Sequence, residues 1–196
     1  MRVAILAEDF RKDQFLLKPV CEAMMASLGK PQSKVLVITD PAFRGIGDLF
    51  RRDRMQRALD LNRGMFDLFL LLVDRDADSE RDRKLAELER WAREILGPRK
   101  CFLAAAAWQE VEVWALAPHK GPWKWADVRR HPHPKERFFE PFAEQRGLGD
   151  EPAEGRVTLG REAGKAYARI CKLCPELAQL EARVSRFLST GVCPQD

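Results

Sequence analysis

Phe66-Asp67-Leu68-Phe69-Leu70-Leu71-Leu72-Val73-Asp74-Arg75-Asp76-Ala77-Asp78 is the stretch whose reading decides the rest. An apolar run of this length, closed by polar residues, suits a strand buried on both faces. Such strands belong to parallel sheets, and open parallel sheets bind ligands beyond the strands' C-terminal ends. Asp74, Asp76 and Asp78 therefore fall where a ligand should sit. Crowded carboxylates repel one another unless something positive joins them, and hard oxygen ligands suit Mg²⁺ or Mn²⁺. The plainer reading is a polar strand-to-helix loop with Asp78 or Ser79 as the helix cap. We adopt that reading for Asp78 and the metal reading for Asp74 and Asp76.

Working outward, a run of short elements flanks this strand. Arg2 to Ala7 reads as a first strand ending in Glu8-Asp9, and Asp13 to Leu28 has helical spacing up to a stop at Gly29. Pro19 inside it suggests a kink or a later start. Lys34 to Ile38 reads as a second strand, Asp48 to Leu61 as a helix, and Leu68 to Val73 as the third strand. Ser79 to Leu96 carries Leu85, Leu88, Trp91, Ala92 and Ile95 at helical steps. Lys100 to Ala105 is a fourth strand and Trp108 to Ala117 a helix. This βαβαβαβα order predicts an α/β fold, a parallel sheet covered by helices. From His119 to Pro134 the chain reads as irregular; Glu136 to Gln145, Arg161 to Lys172 and Glu176 to Leu188 read as helices, and the tail past Thr190 as loose. The domain division is 1–117 for the α/β part and 118–196 for an arm and helical appendage packed on it.

Composition bounds the class. With 196 residues, 45% hydrophobic and 33% charged, the chain can bury a core without cross-links. A net charge of +4 permits a nucleic-acid partner without demanding one. Cys21, Cys101, Cys171, Cys174 and Cys193 are odd in number and scattered, and the N-terminal apolar run is too short for a secretory signal, so a reducing cytoplasm is expected. Cys171-Lys172-Leu173-Cys174 has no second pair at zinc spacing and reads as a helix end. No run approaches the roughly 18 apolar residues of a membrane span, so no membrane partner is expected.

Acids follow three of the strands: Glu8 and Asp9, then Asp74 and Asp76, then Glu110 and Glu112. In a parallel sheet all three groups come to one edge, where they can form a divalent-metal cage able to polarise a phosphodiester and ionise a water. The convergence requires the third strand to lie close to the first.

The same residues carry a family resemblance. One acid after the first strand, then Asp-x-Asp after an apolar strand, is similar to the Toprim (topoisomerase–primase) pattern. Gln109-Glu110-Val111-Glu112-Val113-Trp114-Ala115-Leu116 resembles the Glu-x-Glu-x-aromatic-Leu element of overcoming-lysogenization-defect nucleases. The chain looks closer still to small stand-alone Toprim-like bacterial proteins of defence-type gene neighbourhoods. Gly160-Arg161-Glu162-Ala163-Gly164-Lys165 and Cys174-Pro175-Glu176-Leu177 resemble their C-terminal helical part. The resemblance is strongest over residues 1–117. It implies a four-stranded parallel sheet of Toprim type and Mg²⁺- or Mn²⁺-dependent phosphodiester cleavage of DNA or RNA, in bacterial defence or DNA repair, with a separately encoded ATPase as a partner. Glu8 matches the first acid, a metal ligand or general acid/base; Asp74 and Asp76 match the metal-binding pair; Glu110 and Glu112 match acids assigned to an additional metal. The family pattern continues Glu-Gly with a further acid a few residues on, where this chain has Glu8-Asp9 and then Asp13; Asp tolerates left-handed backbone better than most residues.

Basic residues gather twice. Arg44, Arg51, Arg52, Arg54 and Arg57 form one cluster; Lys120, Lys124, Arg129, Arg130, Lys135 and Arg137 form another, interleaved with Trp123 and Trp125. Phosphate contacts beside stacking platforms suit single-stranded nucleic acid; the plainer readings are a solvated helix face and a packed arm. In His131-Pro132-His133-Pro134 the two imidazoles lack obvious further ligands, and with His119 they read as exposed loop residues. There is no Walker loop. A phospho-acceptor receiver is a further reading, with an acidic pair after the first strand and an Asp after the third; against it stand the missing hydroxyl after the fourth strand and lysine after a fifth. A non-catalytic adaptor of Toprim-like fold, binding nucleic acid or a partner protein, is the alternative to the nuclease.

Overall fold

A computed structural model describes residues 1–195. Its centre is a four-stranded all-parallel sheet in the order β2-β1-β3-β4, with β1 Arg2–Ala7, β2 Lys34–Val37, β3 Leu68–Asp74 and β4 Cys101–Ala107. Residues alternate across the sheet as period-two geometry requires. Val3, Ile5, Leu68, Leu70, Leu72 and Leu103 enter one core; Ala4, Leu6, Phe69, Leu71, Val73 and Phe102 enter the other. β1 and β3 pair from Val3 with Leu68 to Ala7 with Leu72, so the required adjacency is present.

Helices cover both faces. α1 (Phe10–Ser27) packs on the first face; α2 (Ile46–Phe50), α3 (Arg52–Asn62) and α4 (Arg81–Leu96) pack on the second. β1 leads outward to β2 and β3 leads outward the other way to β4, which makes the C-terminal ends of β1 and β3 the switch point where a crevice opens. Beyond β4 come α5 (Glu112–Leu116), α6 (Trp125–Arg130), a π-helical turn at Lys135–Phe139, α7 (Glu140–Gln145), α8 (Arg156–Lys165), α9 (Tyr167–Leu173) and α10 (Pro175–Thr190). Their buried residues, from Trp114 through Leu159 and Ile170 to Val184, join the core that α1 shares with the sheet.

Several local expectations change. The helix expected from Asp48 is two, broken at Arg51, whose backbone is extended. The helix expected from Trp108 begins only at Glu112, because Gln109 has a left-handed φ of 70°. The helix expected at Arg161 begins at Arg156 and breaks at Ala166. The segment expected to be irregular contains α6. The tail is tied down through Pro194: Cys193 is disulfide-bonded to Cys101, and the Pro194 carbonyl accepts from Arg93. That bond also departs from the expectation of reduced cysteines; Cys21, Cys171 and Cys174 are free thiols.

α1 continues through Pro19. Proline has no N–H to give the carbonyl four residues back, which leaves that of Phe15. Gly160 of α8 lies against the Phe15 carbonyl and Gly164 against that of Pro19, so close that a Cβ at either would collide with backbone. The two glycines, four apart, therefore form the seam on which the appendage sits. Gly160→Ala should cost about 1–3 kcal/mol or more through overpacking, while Gly64→Ala, with open space around it, should change little; thermal denaturation of the two variants beside the parent checks this.

Candidate functional site

The loops that leave β1, β3 and β4 bring seven acids to the C-terminal edge, but each has distinct neighbours. Glu8 directly follows β1. Its carboxylate meets the backbone N–H of Ile46 and feels Asp76, Arg81 and Asp9 nearby. Burial is the main cause that raises its pKa, and its Oε2 is a buried atom with no hydrogen-bond partner. The loop before α2 passes over it, with the Gly45 Cβ position 3.6 Å from Oε1. Asp9 keeps φ at −118°, not left-handed, and caps α1 by accepting from Arg11 N–H at 3.0 Å. The Glu-Asp turn is therefore made without the geometry that a glycine would supply.

Asp74 ends β3. Its Oδ1 accepts from Val111 N–H at 2.8 Å. Burial first, then Glu112, Asp13 and Asp76, push its pKa well above the ordinary carboxylate range against that one stabilising donor. Asp13, on the first turn of α1, accepts from Asp9 N–H at 3.1 Å; burial and Glu112 push it up to about 7. Asp76 has a left-handed φ of 52° and accepts from Arg81 at 3.1 Å. Its loop is pinned from β4: the Gln109 carbonyl accepts from the N–H groups of Arg75 and Asp76 at 2.8 and 3.1 Å, and the Gln109 side chain accepts from Ala77 N–H at 2.9 Å. Asp78 serves the start of α4, accepting from Glu80 N–H at 2.9 Å and from Lys84 at 2.8 Å.

The acids after β4 face elsewhere. Glu112 is 3% exposed and pairs with Arg156, itself 1% exposed, at 2.5 Å. Arg156 also holds Glu154, which Lys12 of α1 holds from the other side. Glu110 accepts from Lys135 N–H at 2.7 Å; burial, then Glu112 and Glu136, push it up to about 7. Among the described residues, the group of three potential ligands with donor atoms within 4.8 Å of one another is Glu110, His133 and Glu136, and not Glu8 with Asp74 and Asp76. The strand-end acids thus form a more open cluster. An ion that keeps several waters and takes only one or two carboxylates, as Mg²⁺ does, fits such spacing; Glu8 Oε2 is a buried carboxylate oxygen without a hydrogen-bond partner.

The basic residues divide similarly. Arg44 is exposed on the loop over Glu8, Arg51 pairs with Asp53 at 2.8 Å, and Arg52 lies over the Trp91 ring. Arg54 donates to the Ala42 carbonyl at 2.6 Å. Lys120, Lys124 and Arg130 are exposed. Arg129 grips Glu176 with both nitrogens, at 2.7 and 2.8 Å. Trp123 packs on Phe138 and Phe142, and Trp125 donates to the Leu173 carbonyl; these rings hold the arm to the body. Trp108 is half-buried, carries the guanidinium groups of Arg75 and Arg129 at 4.4 and 5.4 Å from its ring, and donates its indole N–H to the Arg129 carbonyl. It lines a cleft of about 640 Å³ with Arg75, Arg130, Glu176 and Arg183 between α4 and α10. His119 stands apart beside Glu162.

Sequence reasoning did not bring Arg81, Gln109 and Arg156 to this edge, nor Trp108 to the cleft. Asp13 was legible as the later acid of the family pattern, and it stands on the first turn of the helix that starts at the edge. Comparison with protein-family models, curated proteins and solved structures finds no match.

Two measurements probe this geometry. Asp13 and Glu110 have folded pKa values of about 7 against ordinary values of 3.8 and 4.5, so the folded state holds protons that the unfolded state has released. Their contribution is complete below those ordinary values and is lost as pH rises through about 7. The chelator-treated protein should lose stability from about pH 4 to about pH 7 and level off above that, and Asp13→Asn should flatten that slope in thermal melts. Arg156→Met leaves Glu112 buried and unpaired and should cost about 3–5 kcal/mol in urea unfolding, most of it recovered by adding Glu112→Leu.

Proposed function

We propose that the chain is a divalent-metal-dependent phosphodiester hydrolase of nucleic acid, a Toprim-type nuclease acting in bacterial defence or DNA repair. The observation that carries the reading is the placement of Glu8, Asp74 and Asp76 at the switch point of a parallel sheet, with Glu8 Oε2 buried and lacking a donor. Glu8, Asp74 and Asp76 would hold Mg²⁺ or Mn²⁺, while Glu110 and Glu112 are turned toward the arm and Arg156. A cation bound there would polarise a phosphoryl oxygen and make water a better nucleophile. Asp13, poised near neutrality beside Asp74, is suited to take up a proton. Arg81 keeps Asp76 aimed across the crevice toward Glu8. Arg44 on the loop over Glu8, and the Arg75–Trp108 pair beside Asp74, suit the backbone and a base of a single strand; Arg51, Arg52, Lys120, Lys124 and Arg130 extend the basic surface around them.

Its setting is proposed to be the cytoplasm, with a separately encoded ATPase as partner. No helix among the described residues is long and apolar enough to cross a membrane, and three cysteines are free; the Cys101–Cys193 bond weighs against a reducing compartment.

The second reading, a non-catalytic adaptor that binds nucleic acid or a partner protein, draws on the ion pairs themselves. Arg81 and Arg156 already offset Asp76 and Glu112, which lowers the local demand for a metal. Labelled single- and double-stranded DNA and RNA, incubated with Mg²⁺ or Mn²⁺ and the parent protein, Glu8→Gln or Asp74→Asn, separate the two. A nuclease predicts metal-dependent cleavage reduced by about 10²–10⁴-fold in either variant. Cleavage equal in all three sinks the site assignment, and binding without cleavage by the parent protein favours the adaptor.

A further inference from the structure

His131-Pro132-His133-Pro134 leads into the π-helical turn Lys135–Phe139, and this corner is firmly placed. Pro134 and Phe139 are buried, and Lys135 N–H donates to Glu110 at 2.7 Å. His131 is occupied by its own neighbours: its Nδ1 accepts from His133 N–H at 3.1 Å, and its ring lies on Phe138. His133 and Glu136 are exposed, and with Glu110 they bring one imidazole nitrogen and two carboxylate oxygens to within 4.8 Å of one another. Donors each about 2.0–2.2 Å from one ion lie no more than about 4.4 Å apart, so small rotations of two exposed side chains close the shell.

The chemistry of this set differs from that at the strand ends. An imidazole among the donors selects first-row transition cations over Mg²⁺. Ion pairs are frequent on this protein, at Arg129–Glu176 and Arg146–Glu162 for example, yet among the described residues neither Glu110 nor Glu136 is in one. Two carboxylates that no ion pair engages, with Lys135 acting on Glu110 only from beyond ion-pair distance, stand here next to an imidazole. The Lys135 N–H on Glu110 is the outer hydrogen bond that orients a ligand and leaves its other oxygen available.

We propose that Glu110, His133 and Glu136 form a site for a first-row divalent transition cation, with Zn²⁺ as its reference ion, which ties the arm to the C-terminal edge of the sheet. Three protein ligands leave a coordination position for water or for a phosphoryl oxygen. The site is independent of the Mg²⁺ reading of Glu8, Asp74 and Asp76, with which it shares no residue.

The test uses the full chain, stripped with chelator, and compares the parent with His133→Ala, Glu136→Gln and Asp74→Asn. Zn²⁺ is titrated against a chromogenic chelator, and Co²⁺ is added separately to read its visible ligand-field bands. Expected are one Zn²⁺ bound by the parent and by Asp74→Asn, affinity at least about tenfold weaker in His133→Ala and Glu136→Gln, and Co²⁺ bands that change on loss of the imidazole. Matching melting curves in chelator establish that His133→Ala and Glu136→Gln are folded, which is expected because both altered side chains are exposed, and a cooperative melt establishes the same for Asp74→Asn. The proposal is overturned if the parent binds no Zn²⁺, if His133→Ala binds it as the parent does, or if Asp74→Asn loses it while His133→Ala keeps it. None of these outcomes depends on cleavage, so a failed nuclease assay leaves the result intact and the reverse also holds.

Discussion

The parallel pairing of β1 with β3 is the constraint on which the rest depends. Both strands are apolar on both faces and sit at the centre of the sheet, so neither can carry chemistry along its length. Their polar residues appear only where the strands stop, and because the strands are parallel they stop at the same edge. The connections then leave in opposite directions, which opens the edge instead of roofing it. Carboxylates delivered there meet a partly desolvated space, and the balance is visible in Asp74: burial and three neighbouring acids raise its pKa against one N–H bond. Elsewhere on the same edge the fold supplies a full counter-charge, as Arg156 does for Glu112. A desolvated pair of this kind adds little net stability while it is intact but costs several kcal/mol to break. Its role is thus better described as fixing where α5 and α8 meet.

The appendage is part of the same construction. Glu154 is gripped by Lys12 and Arg156 together, joining the first turn of α1, the start of α8 and the buried Glu112. On the far side, β4 is an edge strand and would present free backbone groups. At Ala104 its N–H is taken by Glu89 and its carbonyl by Arg183, which also pair with each other. The ion pair, with α10 and the Cys101–Cys193 bond beside it, stands where a fifth strand would have continued the sheet.

What could be read from the chain without its structure follows the same physics. A buried parallel strand is written as a continuous apolar run, so Leu68 to Val73 and its three companions were legible, as was the edge at which their acids gather. Strand order is a long-range property: nothing in Arg2 to Ala7 says that its neighbour is β3, and the whole site depended on that. Helix breaks at Arg51 and Ala166 were missed because propensity varies smoothly where tertiary packing does not. Gln109 escaped notice for a related reason. A glutamine after a strand is ordinary in sequence, but a left-handed backbone there turns its carbonyl and side chain onto the loop that holds Asp76. Arg129 shows the opposite error: a cluster of cations suggests phosphate contacts, yet this arginine is committed to Glu176.

Partner identity, more than position, separates the acids into sets with different chemistry. Glu8 and Asp76 share Arg81; Asp74 shares Asp13 and the rim of the Glu112–Arg156 pair; Glu110 alone turns to the arm. A set made only of oxygens, loosely spaced, suits a cation that keeps its water and shares its shell with a phosphate. A set that adds an imidazole from another part of the chain suits a cation that gives up its water and fixes the parts it joins. The spacing Glu-x-Glu at 110 and 112 therefore does not make one site. Around α5's first turn, one carboxylate points into the core to meet Arg156 and the other points out to meet the arm. Each counter-group, a guanidinium for Glu112 and a backbone N–H for Glu110, sets how far the charge is already offset.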